Sequence, residues 1–361
     1  MRVDLVTGAV PPKYTLEIAR RFPPGVECRL LPSKGYADSL LGLAYRWIDH
    51  PAKVRTHRRP GSVLHLDSLT LGYLFAWSVP SPKVLTCLDI VPLLREFDDP
   101  SYRLPNGTVQ SLEARLLVRG LHRADRLIAI SEHVRGDLVR LGCQKSRVDV
   151  VRMGVDLQRY TVRDRSDCAA VRARYGIPNG KRLVLFVGTE HPRKNLPTLF
   201  RAFERLRNRE DTILVKVGAP RMPQRMQLRD LASSLGLRER ILFLDHVDEE
   251  ELPHLYGTAD VVVLPSLYEG FGLPPLEAMA CGTPVAVSRE TSLPEVVGDG
   301  GLYFDARDDA SIADALSRIL DDPSLRAEMI ARGTARAAQF PWEHTVAGLV
   351  KTYEKVLEEA G

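Results

Sequence analysis

The chain has 361 residues, of which 44% are hydrophobic and 27% charged, a length and composition that favour two folded domains over a disordered chain. No apolar run reaches the roughly 20 residues of a membrane-spanning helix, and the five scattered cysteines lack CxxC spacing, which argues against a zinc site and for a reducing, cytoplasmic location. The net charge of +4 is uneven, because residues 1–165 carry 26 basic and 17 acidic residues and the remainder 24 and 29. A basic first half suits phosphate-bearing partners.

In the first half, short apolar runs that predict strands alternate with segments of helical spacing. The predicted strands are RVDLVTG, SVLHLD, KVLTCLDIV, ADRLIAIS and VDVVRMG, and the predicted helices are YTLEIARRF, SLEARLLVRGLHRA and EHVRGDLVRLG. The densest basic run, Tyr45–Gly61, is typical of a solvated surface and also of a surface that attracts phosphate groups.

The second half repeats the alternation, with predicted strands RLVLFVG, ILVKVG, RILFLDHV, ADVVVLPS, TPVAVS and GLYF. Alternating strands and helices predict parallel sheets covered on both faces, hence an α/β fold with two doubly wound, Rossmann-like domains that face a cleft. The polar segment Asp156–Lys181 lacks strands and separates the two sets. We therefore predict domains over 1–165 and 166–340, followed by a C-terminal helix over 341–361.

The segment LYEGFGLPPLEAMACGTPVAVS, which follows one of these strands, concentrates reactive residue types. Gly270 and Gly272 lie on a loop that leads into a helix with prolines in its first turn, and Gly282 is predicted as its C′ residue. Such a helix N-terminus offers N–H groups and a positive dipole end to an anion. Glu269 precedes the helix and Glu277 is predicted in its first turn, so the two carboxylates suit the binding of sugar and ribose hydroxyls.

This string resembles the E-x7-E signature of retaining glycosyltransferases of family 4, which have the two-domain GT-B fold. A second segment, FVGTEHPRKNLPTLFRAF, is similar to another signature of that family, in which a strand ends in glycine and a basic pair follows. The resemblance covers the second predicted domain closely and the first loosely from about Lys83. It implies that the first domain binds the acceptor, that the second binds the nucleotide sugar, and that the C-terminal helix packs back on the first domain.

The resemblance also implies residue roles. Glu269, Arg193 and Lys194 are expected as catalytic residues, the two cations neutralising a departing diphosphate. Glu277 is expected to hydrogen-bond the donor ribose. The loop LDHVDEE is expected to face the nucleobase, with Val247 as a backbone contact. The other expected donor-binding residues are Gly188, Thr189, Gly270, Phe271, Gly272 and Leu273, and the expected acceptor-side residues are Gly8, Asp89 and Ser131.

The first domain departs from the family pattern at three positions. Leu88 stands where the family often has a histidine near the donor sugar, Met153 replaces a common asparagine, and only Gly8 remains of a loop that is often Gly-Gly. A strict D-x-D motif is absent from the sequence. A metal that clamps the diphosphate is therefore not required, and we expect no cofactor beyond the nucleotide sugar as cosubstrate.

The resemblance implies a retaining, metal-independent transferase that moves a hexose from a nucleotide sugar to a glycan or lipid-linked acceptor. A general likeness of the PRKN string to bacterial mannosyltransferases favours mannose from GDP-mannose over a UDP-hexose. Two alternatives stay open: a nucleotide-sugar epimerase on the same fold, and a non-catalytic module that binds the nucleotide sugar. The basic half suits peripheral contact with an anionic membrane, whereas nucleic-acid binding is disfavoured because no groove-reading motif is present.

Overall fold

The computed structural model describes residues 1–8, 13–32, 50–77, 79–80, 82–93, 108–206 and 210–360. Residues 45–49 of the basic run, including Trp47, lie outside the described residues. The chain divides into unit 1, formed by Met1–Gly154 and Trp342–Gly361, and unit 2, formed by Val155–Pro341. Unit 2 begins before the predicted boundary at residue 165, so the whole polar segment Asp156–Lys181 belongs to unit 2.

Unit 1 contains a parallel sheet of six strands in the order β2-β1-β3-β4-β5-β6. The strands in chain order are Arg2–Thr7, Glu27–Pro32, Val63–Leu66, Lys83–Cys87, Arg126–Ala129 and Val148–Val150. The helices α1 to α5 are Lys13–Arg21, His50–His57, Tyr73–Ala76, Thr108–Arg123 and Glu132–Arg140. The strand order reverses between β1 and β3, which makes this pair the topological switch point of the sheet.

Strand β2 is the one element of this sheet that the sequence pattern does not predict. It lies at the sheet edge, pairs only with β1 and is half-exposed along its length, so it lacks the apolar run of a buried strand. The buried carboxylate of Asp4 fixes it by accepting from Arg29 Nε at 3.1 Å. Asp4 also accepts from Arg59 Nε at 2.9 Å, so one arginine of the basic run stabilises the fold.

The last helix of the chain, α14 (Trp342–Ala360), packs on α1 and on strands β3, β4 and β5 of unit 1. The fully buried Tyr353 hydroxyl lies 2.7 Å from Nδ1 of His65, whose Nε2 lies 2.7 Å from Thr86 Oγ1. Burial lowers the pKa of His65 to about 3. The imidazole is therefore neutral in the folded protein at any pH near neutrality.

We expect unit 1 to lose stability in acid because of His65. Its pKa is lower in the folded than in the unfolded chain, so below about pH 6.5 the unfolded chain binds a proton that the folded chain excludes. The free energy of unfolding should fall by about 1.4 kcal/mol per pH unit from this group. Chemical denaturation at pH 7.5 and 5.5 measures the slope, which His65→Asn should reduce. His246→Asn, at an exposed histidine, is the control and should leave the slope unchanged. An unchanged slope in His65→Asn would contradict the attribution of the acid sensitivity to His65.

Unit 2 contains a second parallel sheet, with the order β12-β11-β10-β7-β8-β9. Strands β7 to β12 are Arg182–Val187, Thr212–Val217, Ile241–Leu244, Val261–Leu264, Val285–Ser288 and Gly301–Phe304, all of which the apolar runs predict. Helices α6 to α13 are Arg165–Arg174, Leu196–Arg205, Gln224–Ser234, Leu252–Thr258, Leu273–Ala280, Leu293–Val297, Asp309–Asp321 and Pro323–Ala337. The predicted class, α/β with two doubly wound sheets, is confirmed.

None of the described helices combines the length and the apolar character needed to cross a bilayer.

Candidate functional site

The two sequence signatures meet at the switch point of unit 2, between β7 and β10. These strands pair directly in the sheet although about 80 residues separate them in the chain. After β7 the chain passes through Gly188 and Thr189 to a 3-10 turn at Pro192–Lys194, and after β10 it leads to Glu269. Doubly wound sheets bind ligands outside the carboxyl ends of strands at this point.

Glu269 is buried and bonded to both cations of the basic pair. Lys194 Nζ lies 2.5 Å from its Oε1 and Arg193 Nη1 lies 2.9 Å from its Oε2. Ser266 Oγ donates to Oε1 at 2.6 Å. Burial alone would raise the pKa of Glu269, but the charges of Lys194 and Arg193 and the hydrogen bonds from Lys194 and Ser266 lower it to about 2. The cluster therefore contains an ionised carboxylate and two cations.

His191 lies next to this cluster and is uncharged at neutral pH. Its Nδ1 accepts from the backbone N–H of Arg193 at 3.3 Å, which fixes the start of the 3-10 turn. Burial and the neighbouring charges of Arg193, Arg221 and Lys194 lower the pKa of His191 to about 4. With a neutral imidazole, the positive potential of this edge comes from the lysine and the arginines.

Two residues that sequence reasoning missed hold the Glu269 loop in place. Thr291 Oγ1 accepts from the backbone N–H of Glu269 at 2.9 Å, and Ser292 Oγ donates to the carbonyls of Glu269 at 2.9 Å and Phe271 at 2.8 Å. Thr291 has a φ of 53°, a left-handed conformation that is rare and strained for a β-branched residue. Nothing local in the sequence marks these residues, because they follow β11 and reach the loop only through the sheet.

We expect Thr291→Val to be more damaging than Thr291→Ser. Valine keeps the shape but removes the acceptor for a part-buried N–H, at a cost of about 1–3 kcal/mol, whereas serine keeps the hydroxyl and relieves β-branched strain. Chemical denaturation together with nucleotide binding measures both effects. Equal behaviour of the two variants would show that the hydroxyl does not position Glu269.

The glycine-rich loop enters α10 (Leu273–Ala280) as predicted, with Gly272 as the N-cap residue. Gly272 has a φ of 116°, and a Cβ there would lie 2.7 Å from Leu293 Cδ2, so the position requires glycine. The Phe271 ring is buried, with its centroid 5.9 Å from that of Phe340, and Gly270 is buried as well. Gly282 follows the C-cap residue with a φ of 75°, which confirms it as C′.

Glu277 is buried within α10, and the prediction that it lies in the first turn is wrong because the helix begins at Leu273. Its Oε2 accepts from Tyr256 Oη at 3.0 Å, and Tyr160 also hydrogen-bonds it. Burial and the charge of Glu277 raise the pKa of both tyrosines, so both hydroxyls remain donors. Two tyrosines that the sequence analysis did not single out thus hold this carboxylate.

A second buried ion cluster lies at the carboxyl ends of β7, β8 and β9, and sequence reasoning missed it. Glu190 Oε1 lies 3.0 Å from Lys216 Nζ and accepts from Arg225 Nε at 2.6 Å. Arg225 Nη2 lies 2.6 Å from Asp245 Oδ1. Asp245 begins the loop that carries the buried Val247, the residue expected to face the nucleobase.

In unit 1, the expected acceptor-side residues Gly8, Asp89 and Ser131 follow β1, β4 and β5 at the carboxyl edge of the sheet. Asp89 Oδ1 accepts from Val91 N at 3.0 Å. Ser131 is fully buried and is the N-cap residue of α5, accepting from Val134 N at 3.1 Å. Both side chains therefore have a local structural role at this edge.

Asp67 also lies at this edge, at the switch point, and was missed. It follows β3, is fully buried and accepts from Thr15 Oγ1 at 2.5 Å. Its Oδ1, Thr7 Oγ1 and Tyr14 Oη are buried polar atoms without a hydrogen bond of normal geometry in the part of the chain that the structure describes. Burial raises the pKa of Asp67. The sequence could have pointed to Asp67, because this aspartate directly follows the apolar run SVLHL that predicts strand β3.

Within the described ranges, no group of three or more His, Cys, Asp or Glu side chains could hold a metal ion.

Two family models match the chain. Residues 1–159 match "Glycosyltransferase Family 4", and residues 169–336 match "Glycosyl transferases group 1". The chain is 35% identical to D-inositol 3-phosphate glycosyltransferase 2 of Catenulispora acidiphila over an alignment 379 positions long, gaps included, which covers 98% of this chain and 84% of that protein. The two six-stranded parallel sheets are those of the glycosyltransferase class with two Rossmann-like units. The chain belongs to the GT-B glycosyltransferases, with a family 4 region followed by a group 1 region.

Other relatives match a shorter part of the chain. The D-inositol 3-phosphate glycosyltransferase of Salinispora arenicola is 39% identical over 252 residues, which cover 66% of this chain and 56% of that protein. The O-antigen chain mannosyltransferase B of Escherichia coli is 35% identical over 263 residues, which cover 72% of this chain and 67% of that protein. The chain thus spans little more than half the length of the Salinispora relative.

Solved structures share the fold at low sequence identity. Sucrose-phosphate synthase from Thermosynechococcus elongatus has a TM-score of 0.82 at 20% identity and covers 99% of this chain and 100% of its own. Anabaena HepE in complex with UDP and glucose has a TM-score of 0.81 at 19% identity and covers 98% and 100%. At these identities the likeness concerns the fold alone.

Proposed function

We propose that this protein is a retaining glycosyltransferase that moves a hexose from a nucleotide sugar to a glycan or lipid-linked acceptor. The observation that carries the proposal is the cluster of Arg193, Lys194 and Glu269 at the switch point of unit 2. With the carboxylate ionised, the cluster has a net charge of +1. A diphosphate that arrives there can take over hydrogen bonds that the two cations make with Glu269.

The chemical task of the site is to stabilise the nucleoside diphosphate as it leaves the sugar. Lys194 and Arg193 would neutralise the charge that grows on the leaving oxygens, and electrostatic stabilisation of this kind is usually the largest single contribution to catalysis. The leaving phosphate would help to deprotonate the acceptor hydroxyl on the same face of the sugar, so the anomeric configuration is retained. Because the two cations neutralise the phosphates, the proposal needs no metal ion.

The remaining donor-side residues have roles that their positions support. Glu277, held by two tyrosines, would accept hydrogen bonds from the ribose. Gly188 and Thr189 would lie along the diphosphate, and the backbone of Gly270, Phe271, Gly272 and Leu273 would face the sugar hydroxyls at the N-terminus of α10.

The proposal extends to the identity of the donor sugar nucleotide and of the acceptor. GDP-mannose is the favoured donor, with mannose supported by the name of the Escherichia coli relative, and a UDP-hexose is the second candidate. Gly8, Asp89, Ser131 and the newly found Asp67 would contribute to the acceptor side. The names of the other relatives make inositol phosphate an acceptor to test beside glycans and lipid-linked saccharides. Such a reaction would take place in the cytoplasm, at the inner face of an anionic membrane for a lipid-linked acceptor.

The first experiment is thermal unfolding with GDP, UDP, dTDP and ADP and their sugars, each with and without Mg²⁺. A ligand at about 100 times its Kd stabilises the fold by about 2.7 kcal/mol. We expect one nucleotide to raise Tm equally with and without Mg²⁺. A shift in Tm that requires Mg²⁺ would contradict the proposed metal independence. If no nucleotide shifts Tm, the proposal that unit 2 binds a nucleotide sugar is contradicted.

Product analysis then separates the proposed reaction from its alternatives. Transfer to an acceptor with an unchanged anomeric configuration, read by NMR, supports the retaining transferase. A changed sugar still attached to its nucleotide would indicate an epimerase. Tight nucleotide binding with neither transfer nor donor hydrolysis would indicate a non-catalytic module.

A further inference from the structure

The cluster of Glu190, Lys216, Arg225 and Asp245, here called the buried ion network, joins three separate loops. Glu190 follows β7 and directly precedes the turn that carries Arg193 and Lys194. Its Oε2 accepts from the backbone N–H of Arg221, in the loop after β8, at 2.9 Å.

From Glu190 the network continues to the loop after β9. Arg225 Nε donates to Glu190 Oε1 at 2.6 Å, and its Nη2 lies 2.6 Å from Asp245. The guanidinium carbon also lies 4.8 Å from the centroid of the Phe243 ring on β9, so stacking fixes the plane of the fork. A single arginine thus connects the turn after β7 with the loop that carries Val247.

Burying these charges is not an efficient way to stabilise a fold. Glu190, Lys216 and Arg225 are 2%, 0% and 3% exposed, and buried ion pairs are often no more stabilising than well-packed apolar residues because each ion loses its hydration. Such a network does, however, restrict the arrangement of the groups that it joins, because Glu190 contacts Lys216, Arg225 and the backbone N–H of Arg221 at once. The network lies at the carboxyl edge of the sheet, where the ligand of such a fold binds.

The loops approach closely at this edge. Gly188 N donates to Val217 O at 2.9 Å, and Gly218 N donates to Leu244 O at 2.9 Å. Gly218 has a φ of 125°, and a Cβ there would lie 2.5 Å from Gly188 O, so the first two loops touch backbone to backbone. The side chains of the network therefore tie together loops that are already in contact, which leaves little freedom in their spacing.

We propose that Glu190 is a positioning residue that, through Arg225 and Asp245, fixes the distance between the phosphate-binding turn and the loop that faces the nucleobase. The inference rests on the proposed function, because it concerns the same donor site. In this arrangement the diphosphate and the base of one nucleotide reach their contacts together only when both loops are held in register. By acting on the spacing of the two loops, the network would decide whether the two ends of the nucleotide can bind at once.

The test compares the affinity of a nucleoside diphosphate with that of inorganic pyrophosphate, both measured by calorimetry. The nucleotide is the one that raises Tm most in the wild type. Glu190→Gln keeps the shape of the side chain and removes its charge. We expect it to weaken nucleoside diphosphate binding at least 10-fold while pyrophosphate binding changes less than 3-fold. Asp245→Asn, at the exposed end of the network, should weaken the nucleotide in the same selective way but less.

A matched control is Asp260→Asn, on the opposite, amino-terminal edge of the same sheet, where the carboxylate accepts from Leu183 N at 2.7 Å. It should lower Tm without changing the ratio of the two affinities. If Glu190→Gln does not fold, the same two affinities are compared in Arg225→Lys and Asp245→Asn. Lysine keeps the positive charge of Arg225 but lacks the planar guanidinium that bonds Glu190 and Asp245 together.

Equal losses for nucleotide and pyrophosphate in these variants, or no loss, would overturn the inference while leaving the proposed function standing. A wild-type protein that binds no nucleoside diphosphate would overturn both.

Discussion

Lys194→Ala should reduce the turnover number by about 10²- to 10³-fold, the usual cost of removing one preorganised group that stabilises the leaving charge. Lys194 is buried and bonded to Glu269 at 2.5 Å, so no solvent ion can replace it easily. The measurement is kcat and KM for the donor at saturating acceptor. The loss should appear mainly in kcat, because charge on the leaving diphosphate grows on the way to the transition state.

Lys194→Ala should also change the pH dependence of activity. The charge of Lys194 is the first cause that opposes burial and lowers the pKa of Glu269 to about 2. Without it the pKa of Glu269 rises, so the remaining activity should be lost at a higher pH on the acid side than in the wild type. The variant should also lose roughly 3 kcal/mol of stability, because the buried carboxylate of Glu269 would lose one of the two cations that offset its loss of hydration.

The exposed ion pair of Arg205 and Asp309 supplies the control for Lys194→Ala. Arg205→Ala removes a cation from the same unit at the C-terminal end of α7, the end of this helix that is remote from Lys194, and it should change neither kcat nor the acid limb of the pH profile. Full activity in Lys194→Ala would contradict the proposal that Lys194 stabilises the leaving diphosphate.

Glu277→Ala should weaken nucleotide-sugar binding by about 10- to 100-fold, which corresponds to the loss of a charged hydrogen-bond acceptor for the ribose. The Kd of the nucleotide, measured by calorimetry, reports this directly. The variant should also be less stable, because the hydroxyls of Tyr256 and Tyr160 lose a buried acceptor.

Tyr256→Phe separates binding from stability. It removes one hydroxyl that holds Glu277 but leaves the carboxylate present, so nucleotide affinity should change much less than in Glu277→Ala. If Glu277→Ala lowers Tm and leaves the nucleotide Kd unchanged, the carboxylate serves the fold only, and the ribose assignment fails.

Much of the fold could be predicted because the signals are local. All six strands of unit 2 are short apolar runs, since strands covered by helices on both faces have no polar side. Strand β2 could not be predicted in this way, because its edge position leaves it half-exposed and its stability depends on Asp4, Arg29 and Arg59. For helix α10 the prolines of the first turn and Gly282 as the C′ residue were predicted correctly, but the helix begins at Leu273, so Glu277 lies beyond the first turn where it was expected.

The sequence by itself determined which residue types serve the site: the basic pair Arg193 and Lys194 after one apolar run and Glu269 after another. Only the tertiary structure decided that these meet, because the crossovers that place β10 beside β7 are set by packing across the whole sheet and leave no local signal. The same reason explains why Thr291 and Glu190 were missed. A buried polar group finds its partner wherever the fold brings one, and the partners of these two lie in segments of the chain that are distant in sequence.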